Sequence, residues 1–277
     1  MVHQPRLLCL VLVVLFGAPL ALQQTQTLDQ SRTFFGSYRV LERGGQNVLI
    51  HGTTVHGTQF LDERSTEPTM YYAKSGPLGS LFSPRDLGEV GVVGLGVGTV
   101  AAYGESGMNM TFFEIDREVV RIAETPRLFT YLSDSAAKVD VIVGDGRLKV
   151  EEQASGRFDL LILDAFSSDA VPVHLLTREA MHTYASKLSQ DGMLAVHISS
   201  RVFDLEPVIA GAAEELGWSV AAKSGGQGEG ATLSEWVVLS PSAERLDALV
   251  REDGWSPLEG DVVRWTDDFS SALSVLK

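Results

Sequence analysis

The chain has 277 residues, 44% of them hydrophobic, so it can bury one large core or a large core with a small companion. Its 36 Asp and Glu residues outnumber 22 Lys and Arg residues, which gives a net charge of −14. This balance argues against nucleic acid as a partner and suits a cationic substrate, although a solvated acidic surface would produce the same charge. The single cysteine, Cys9, excludes a disulfide or a cysteine metal site from the folded part.

The chain begins with an apolar segment, residues 7–22, preceded by Arg6. The segment spans about 16 residues, fewer than the roughly 20 that cross a bilayer comfortably. Its pattern fits a cleaved signal peptide and a membrane anchor equally well. We therefore expect a membrane-associated or exported protein, with the side of the membrane left open, and assign residues 1–30 to this segment and a polar linker.

Residues 31–80 predict a small β-rich unit. Two strand-like runs flank Gly44 and Gly45, which is the pattern of a β-hairpin, and further short β-like pieces continue to Tyr72. A Gly-Pro pair at residues 76 and 77 then interrupts the chain.

From residue 81 onward, strand-like and helix-like segments alternate, which predicts a parallel sheet covered by helices. A strand at 89–93 leads into three glycines, Gly94, Gly96 and Gly98, followed by a helix-like segment and a second strand that ends at Glu114. Open α/β sheets bind nucleotides at this edge, and an acid about 20 residues after the glycines suits a ribose. Residues 81–277 are thus expected to form a Rossmann-like α/β domain.

Acidic residues follow three successive strands of this predicted sheet. Glu114 ends the second strand, Asp145 follows the third at 139–143, and Asp164 follows a continuous apolar run at 158–163. Because strand ends line the ligand crevice, the three acids are expected to share one pocket. For each acid alone, capping a helix is an equal alternative. Later segments predict helices at 177–188 and 203–216, strands at 193–198, 218–222 and 235–239, and a final helix from about Ser270.

The motifs together resemble the spermidine synthase family, the polyamine aminopropyltransferases, which have the fold of S-adenosylmethionine-dependent methyltransferases. The resemblance rests on GLGVG at 94–98, FEID at 113–116, GDGR at 144–147 and DLLILDAF at 159–166. It extends upstream to LIHGTTVHGTQ at 49–59 and the Tyr71-Tyr72 pair. The branch in which such a domain follows membrane helices is the most similar, through VPVHLLT at 171–177 and WTDDFS at 265–270.

The resemblance implies a donor, an acceptor and a set of site residues. The donor would be decarboxylated S-adenosylmethionine, and the acceptor a polyamine such as putrescine, with no metal involved. Asp164 would be the catalytic base, and Tyr72 and Asp169 would line the amine site. A homodimer is left open. The residues implied in donor binding are Gln59, Gly94, Gly96, Gly98, Glu114, Asp145 and Gly146.

Two positions depart from the family pattern. Val97 stands where the family has an acid that holds the amine of the donor, and Ser167 stands where it has a second pocket acid. Val97 favours an alternative in which intact S-adenosylmethionine is consumed, by methyl transfer or another reaction. Ser167 favours a non-catalytic domain that binds a nucleoside or polyamine.

Five further residues have simpler expected roles. His51 and His56 lie five apart without a third ligand, so a metal site is not expected there. His197 is expected to be structural. Asp267 and Asp268 would reach the substrate or cap the final helix.

Overall fold

The computed structural model describes residues 25–82, 87–165 and 172–277. The apolar segment 7–22 lies outside these ranges, as do Ser167 and Asp169. The described chain forms two β-sheets, one of four strands and one of eight.

The smaller sheet is N-terminal, and its strands pair antiparallel in sequence order. They are β1 (Gln26–Arg32), β2 (Ser37–Arg43), β3 (Gln46–His51) and β4 (Thr54–Phe60). Gly44 and Gly45 join β2 to β3 with φ values of 60° and 75°. Two successive positive φ values are typical of a type I′ turn, whose twist matches that of the paired strands. The predicted hairpin is confirmed.

The larger sheet carries the cavity described below. Its strands are β5 (Glu89–Val93), β6 (Asn109–Glu114), β7 (Lys138–Val143), β8 (Phe158–Leu163), β9 (Leu188–His197), β10 (Ser219–Gly225), β11 (Ser234–Ser240) and β12 (Ser256–Pro257). They lie in the order β12-β10-β11-β9-β8-β5-β6-β7. Strands β5 to β9 pair parallel, whereas β10, β11 and β12 add antiparallel. The predicted Rossmann-like α/β fold is confirmed.

Short helices connect and cover the strands. The α-helices of the described residues are α1 (Pro77–Phe82), α2 (Arg117–Ala123), α3 (Tyr131–Asp134), α4 (Gly146–Glu151), α5 (Arg178–Lys187), α6 (Glu206–Leu216) and α7 (Ala243–Glu252). Thr177 caps α5 by accepting a hydrogen bond from the Ala180 N–H, and Gly217 ends α6 in the left-handed conformation, as predicted.

Two predicted helices are wrong. The segment after the glycine loop forms only a short 3₁₀ turn, Thr99–Tyr103. Just five residues separate Gly98, which is left-handed, from Gly104, which is extended, so no longer helix fits between them. The final helix is likewise a 3₁₀ turn, Ala272–Val275.

Strand β8 explains why the sequence contains an uninterrupted apolar run. Leu160 and Ile162 point into the hydrophobic core on one face of the sheet, and Leu161 and Leu163 point into the core on the other face. A parallel strand covered on both faces has no solvent side, so alternation with polar residues is absent.

Hydrogen bonds attach the small sheet to the large domain. Tyr38 and Thr33 both donate to Oδ2 of Asp116, over 2.9 Å and 2.5 Å. Farther along, Asn47 Nδ2 donates to the Leu128 carbonyl over 2.7 Å. These contacts hold the small sheet over the carboxyl ends of the parallel strands.

The expected membrane location is wrong for the described chain. Within residues 25–82, 87–165 and 172–277, no helix has the length and apolar character needed to span a bilayer. The prediction rested on residues 7–22, which lie outside those ranges.

Candidate active site

A cavity of about 880 Å³ lies at the carboxyl ends of the parallel strands, beneath the small sheet. The strand order sets its layout. The ends of β5, β6 and β7 form one side, which we call the glycine end. The end of β8 lies in the middle, and the ends of β9 and β11 form the opposite side, which we call the distal end. Seven predicted site residues line the cavity: Tyr72, Gly94, Gly96, Glu114, Asp145, Gly146 and Asp164.

The glycine loop requires the absence of side chains. Gly94 has a φ of 100°, and a Cβ there would lie 2.2 Å from the Asp164 carbonyl oxygen. Gly96 has a φ of 56° and would place a Cβ 3.1 Å from the His56 carbonyl. Both glycines therefore allow backbone to approach backbone at the cavity floor. Gly98 also has a positive φ, but its missing side chain makes room for Leu132.

Glu114 ends β6 and is buried beside this loop. Its carboxylate accepts hydrogen bonds from the backbone N–H groups of Leu95, over 3.1 Å, and Asp116, over 2.9 Å. Burial raises the pKa of the Glu114 carboxyl group, and these two N–H groups oppose the rise. A carboxylate has about four acceptor sites, so Glu114 retains capacity for ligand hydroxyl groups.

Asp145 caps helix α4 and faces the same end of the cavity. Its Oδ1 accepts a hydrogen bond from the Leu148 N–H over 3.0 Å, and its Oδ2 lies 3.4 Å from His174 Nε2. Gly146 lies beside it, where a Cβ would come within 2.4 Å of the Val93 side chain. Asp145 therefore caps a helix and lines the cavity at the same time, so the two expected roles are not exclusive.

Asp164 lies at the middle of the cavity, directly after β8. Tyr72 donates a hydrogen bond to its Oδ2, and His197 Nδ1 lies 2.7 Å from its Oδ1. Burial, and then the charge of Asp164, raise the pKa of the Tyr72 phenol well above its usual value. Tyr72 consequently stays protonated and acts as a donor at neutral pH.

His197 belongs to the hydrogen-bonded set formed with Asp164 and Tyr72. The sequence predicted only a structural role for it. Its ring is stacked between Tyr71 and Trp236, with centroid distances of 4.8 Å and 4.7 Å. Its Nε2 lies 2.7 Å from Ser199 Oγ, and Ser199 accepts a hydrogen bond from the Glu235 N–H over 2.8 Å. The position of His197 at the end of a predicted strand was the available signal.

Three positions singled out in the sequence do not line the cavity: Gln59, Val97 and Gly98. Gln59 is buried, and its amide joins β4 to the segment before α3, donating to Ser65 O and Thr130 Oγ1 and accepting from the Thr130 N–H. Val97 is 1% exposed, and its methyl groups occupy the space above Gly57. Asp169 lies outside the described residues, so its expected place in the amine site stays a prediction.

His56 also lines the cavity. Burial, and then the neighbouring His51, lower the pKa of the His56 imidazole to about 4. The two rings lie 5.2 Å apart. Among the described residues, no group of three or more His, Cys, Asp or Glu side chains is placed to hold a metal ion.

Comparisons with known proteins agree with the motifs. A polyamine aminopropyltransferase from Vibrio vulnificus is 26% identical over 215 residues, which cover 73% of this chain and 70% of the relative. No family model matches the chain. The resemblance to the spermidine synthase family is confirmed by this relative, whereas the membrane-fused branch stays a prediction.

Solved structures share the fold. A probable spermidine synthase from Corynebacterium glutamicum aligns with a TM-score of 0.65 and 14% identity, over 89% of this chain and 97% of the other. Spermidine synthase from Thermotoga maritima aligns with a TM-score of 0.56 and 14% identity, over 88% and 82% of the two chains. A spermidine synthase in complex with the transition-state analogue AdoDATO aligns with a TM-score of 0.55 and 14% identity, with the same coverage.

Proposed function

We propose that this protein transfers an aminopropyl group from decarboxylated S-adenosylmethionine to the amine of a small acceptor such as putrescine. The observation that carries the proposal is the carboxylate of Asp164, which lies at the middle of the cavity with Tyr72 and His197 bonded to its two oxygens. The name of the Vibrio vulnificus relative, polyamine aminopropyltransferase, supports the same reaction. The homodimer left open by the family resemblance stays a prediction.

The donor nucleoside is assigned to the glycine end. Glu114 would accept hydrogen bonds from the ribose hydroxyls, and Asp145 would accept one from the exocyclic amine of adenine. The glycines at 94 and 96 would let the backbone lie against the nucleoside, since neither has a side chain in the way. This places the sulfonium of the donor toward the middle of the cavity, where Asp164 lies.

Asp164 is assigned the role of general base. An ammonium group has no free electron pair, so the acceptor amine must lose a proton before it can attack. The Asp164 carboxylate accepts that proton, and the nitrogen lone pair forms a bond to the propyl carbon attached to sulfur. The carbon–sulfur bond breaks, and its electron pair stays on sulfur, which neutralises the sulfonium and releases methylthioadenosine.

A second candidate function follows from Val97. Its buried, apolar side chain provides no charge for the amine of a decarboxylated donor. Intact S-adenosylmethionine as the donor, with transfer of its methyl group or of another substituent, is therefore the alternative.

The purified chain, incubated with each donor and putrescine and followed by mass spectrometry, separates these reactions. Release of methylthioadenosine with spermidine supports aminopropyl transfer. Release of S-adenosylhomocysteine supports methyl transfer instead. Nucleoside binding without any product would leave a binding domain and contradict both reactions.

Asp164→Asn tests the base directly. We expect kcat to fall by about 10²- to 10⁴-fold, because an amide cannot accept the proton, while methylthioadenosine binding stays within a few-fold. Asp261→Asn, at an exposed position that does not line the cavity, is the matched control. Equal turnover in the two variants would contradict the assignment of Asp164.

A further inference from the structure

Two basic side chains line the distal end of the cavity, which is unexpected in an acidic protein assigned a diamine substrate. Three charged side chains line it: Arg201, Glu235 and Lys277. Lys277 Nζ lies 3.6 Å from Glu235 Oε2 and donates to the Ser200 carbonyl over 2.9 Å. This ion pair neutralises the acid that a distal ammonium group would need.

Arg201 has no partner within the described part of the chain. Across the described residues it takes part in no ion pair or hydrogen bond, although its side chain is exposed at the cavity wall. Of the three charged side chains that line the distal end, Arg201 is therefore the one left unpaired among the described residues. Further acids lie near the Lys277–Glu235 pair, since burial, and then the charges of Asp204 and Glu235, raise the pKa of Glu206. A second ammonium group entering here would find Glu235 already paired with Lys277, whereas an anion would meet the guanidinium of Arg201.

Arg201 is within reach of a substrate held at Asp164. It follows His197, the residue bonded to Asp164, by four positions, so the two backbones lie at most about 14 Å apart along an extended chain. The guanidinium presents a planar set of donors that matches a carboxylate with two parallel hydrogen bonds. The hydroxyl of Ser200, also on the cavity wall, adds a neutral donor.

We propose that the distal end binds the carboxylate of an amino-acid-like substrate, with Arg201 as its principal partner. This inference rests on the proposed transfer function and specifies its substrate class: an amine whose far end is anionic, as in a basic α-amino acid. The carboxylate belongs to the acceptor in that arrangement. Intact S-adenosylmethionine could supply the same group from the donor.

Ornithine and putrescine form a matched pair for the test, because ornithine is putrescine with a carboxylate on one terminal carbon. Their dissociation constants would be measured by calorimetry on the full chain, with methylthioadenosine present to fill the glycine end. We expect ornithine to bind at least about tenfold more tightly, in line with the strength of charge-assisted hydrogen bonds. Arg201→Gln should remove that preference and leave putrescine binding unchanged or improved.

Arg251→Gln is the control, since Arg251 is exposed on α7 and does not line the cavity. A parallel titration compares intact with decarboxylated S-adenosylmethionine without an acceptor. If only the donor titration shows a preference that depends on Arg201, in favour of intact S-adenosylmethionine, the carboxylate belongs to the donor and the anion site is upheld. Tighter binding of putrescine than ornithine, with no effect of Arg201→Gln on either carboxylate ligand, would overturn it.

Turnover is measured separately, so the two proposals can fail independently. One outcome is that ornithine binding depends on Arg201 but no combination of donor and amine releases methylthioadenosine. This outcome contradicts the transfer reaction and supports the anion site. Transfer to putrescine, combined with binding of ornithine and intact S-adenosylmethionine that does not depend on Arg201, does the reverse.

Discussion

Asp164 is the last member of a chain of hydrogen bonds that runs from the Glu235 backbone through Ser199 and His197. The first member fixes which group donates and which accepts. The Glu235 backbone N–H can only donate, so Ser199 Oγ accepts there and its own proton is free for His197 Nε2. His197 then carries its proton on Nδ1, which donates to Asp164 Oδ1. This tautomer is assigned from the bonding pattern. It leaves the Asp164 carboxylate oriented by two donors and able to accept a proton from substrate.

His197→Asn and His197→Gln separate the two nitrogens of the ring. The asparagine amide nitrogen takes the place of Nδ1 and keeps the bond to Asp164, whereas glutamine takes the place of Nε2 and loses it. We expect the asparagine variant to retain kcat within about tenfold and the glutamine variant to lose about 10²-fold, with KM little changed, because misplacing a reacting group costs about that much. Steady-state kinetics on both variants measure the difference.

His182→Gln is the control for this comparison, because His182 is exposed on α5 and does not line the cavity. A role of His197 in packing alone predicts that the asparagine and glutamine variants lose kcat equally.

At the scale of elements, the sequence predicts the buried parallel strands well because their signals are local, whereas β1 (Gln26–Arg32) lies mostly in residues assigned to a polar linker. Strand β8 was predicted with its observed bounds, since an apolar run between two acids is typical of a buried parallel strand. The 3₁₀ turn at Thr99–Tyr103 was not predicted. The helix is short because Gly98 is left-handed and Gly104 is extended, and the sequence does not show these backbone conformations. The hydrogen-bond partners of His197 and Gln59 were not predicted, for another reason. Their partners lie 33 and 71 positions away, beyond any periodic pattern.

One element-scale contact ties the C-terminal segment to two helices. Arg147, in α4, donates two hydrogen bonds to Asp267, over 2.7 Å and 2.8 Å, and Thr177, the cap of α5, donates a third over 2.7 Å. These bonds, those from Arg147 first, lower the pKa of the Asp267 carboxyl group to about 2. The motif at 265–270 thereby holds the loop that carries His174 beside the glycine end.

Asp267→Asn is expected to change how stability depends on pH. A carboxyl group whose pKa is lower in the folded state stabilises the fold above its unfolded pKa of about 3.9, and this contribution is lost as the pH falls toward 2. The variant should unfold about 1–3 °C lower than the wild type at pH 6, since exposed ion pairs contribute little. The gap should close at pH 2, as followed by thermal unfolding.

Asp268→Asn is the neighbouring control, because Asp268 is exposed and makes no side-chain hydrogen bond within the described residues. A gap between Asp267→Asn and wild type that is the same at pH 6 and pH 2 would contradict the ion-pair origin of the effect.

At the scale of the whole molecule, the cavity is shared by both sheets. Phe35, Tyr38 and His51 of the small sheet region face the glycine loop and Glu114 of the large domain across it. The bonds from Tyr38 to Asp116 and from Asn47 to Leu128 join the two units at the same place. A ligand bound there contacts both, so binding should stabilise them together.

Methylthioadenosine is therefore expected to raise the unfolding temperature of the whole chain in one transition. At about 100 times its dissociation constant a ligand adds about 2.7 kcal/mol, which corresponds to about 5–10 °C for a chain of this size.

The four tryptophans, at 218, 236, 255 and 265, all belong to the large domain and report its unfolding by fluorescence, whereas far-ultraviolet circular dichroism reports both sheets. We expect the fluorescence and circular-dichroism midpoints to coincide, both with and without ligand. In Glu114→Gln the ligand should raise the unfolding temperature much less, because an amide replaces the carboxylate assigned to the ribose. Separate midpoints, with the ligand moving only the fluorescence transition, would mean that the small sheet folds apart from the site and does not help to form it.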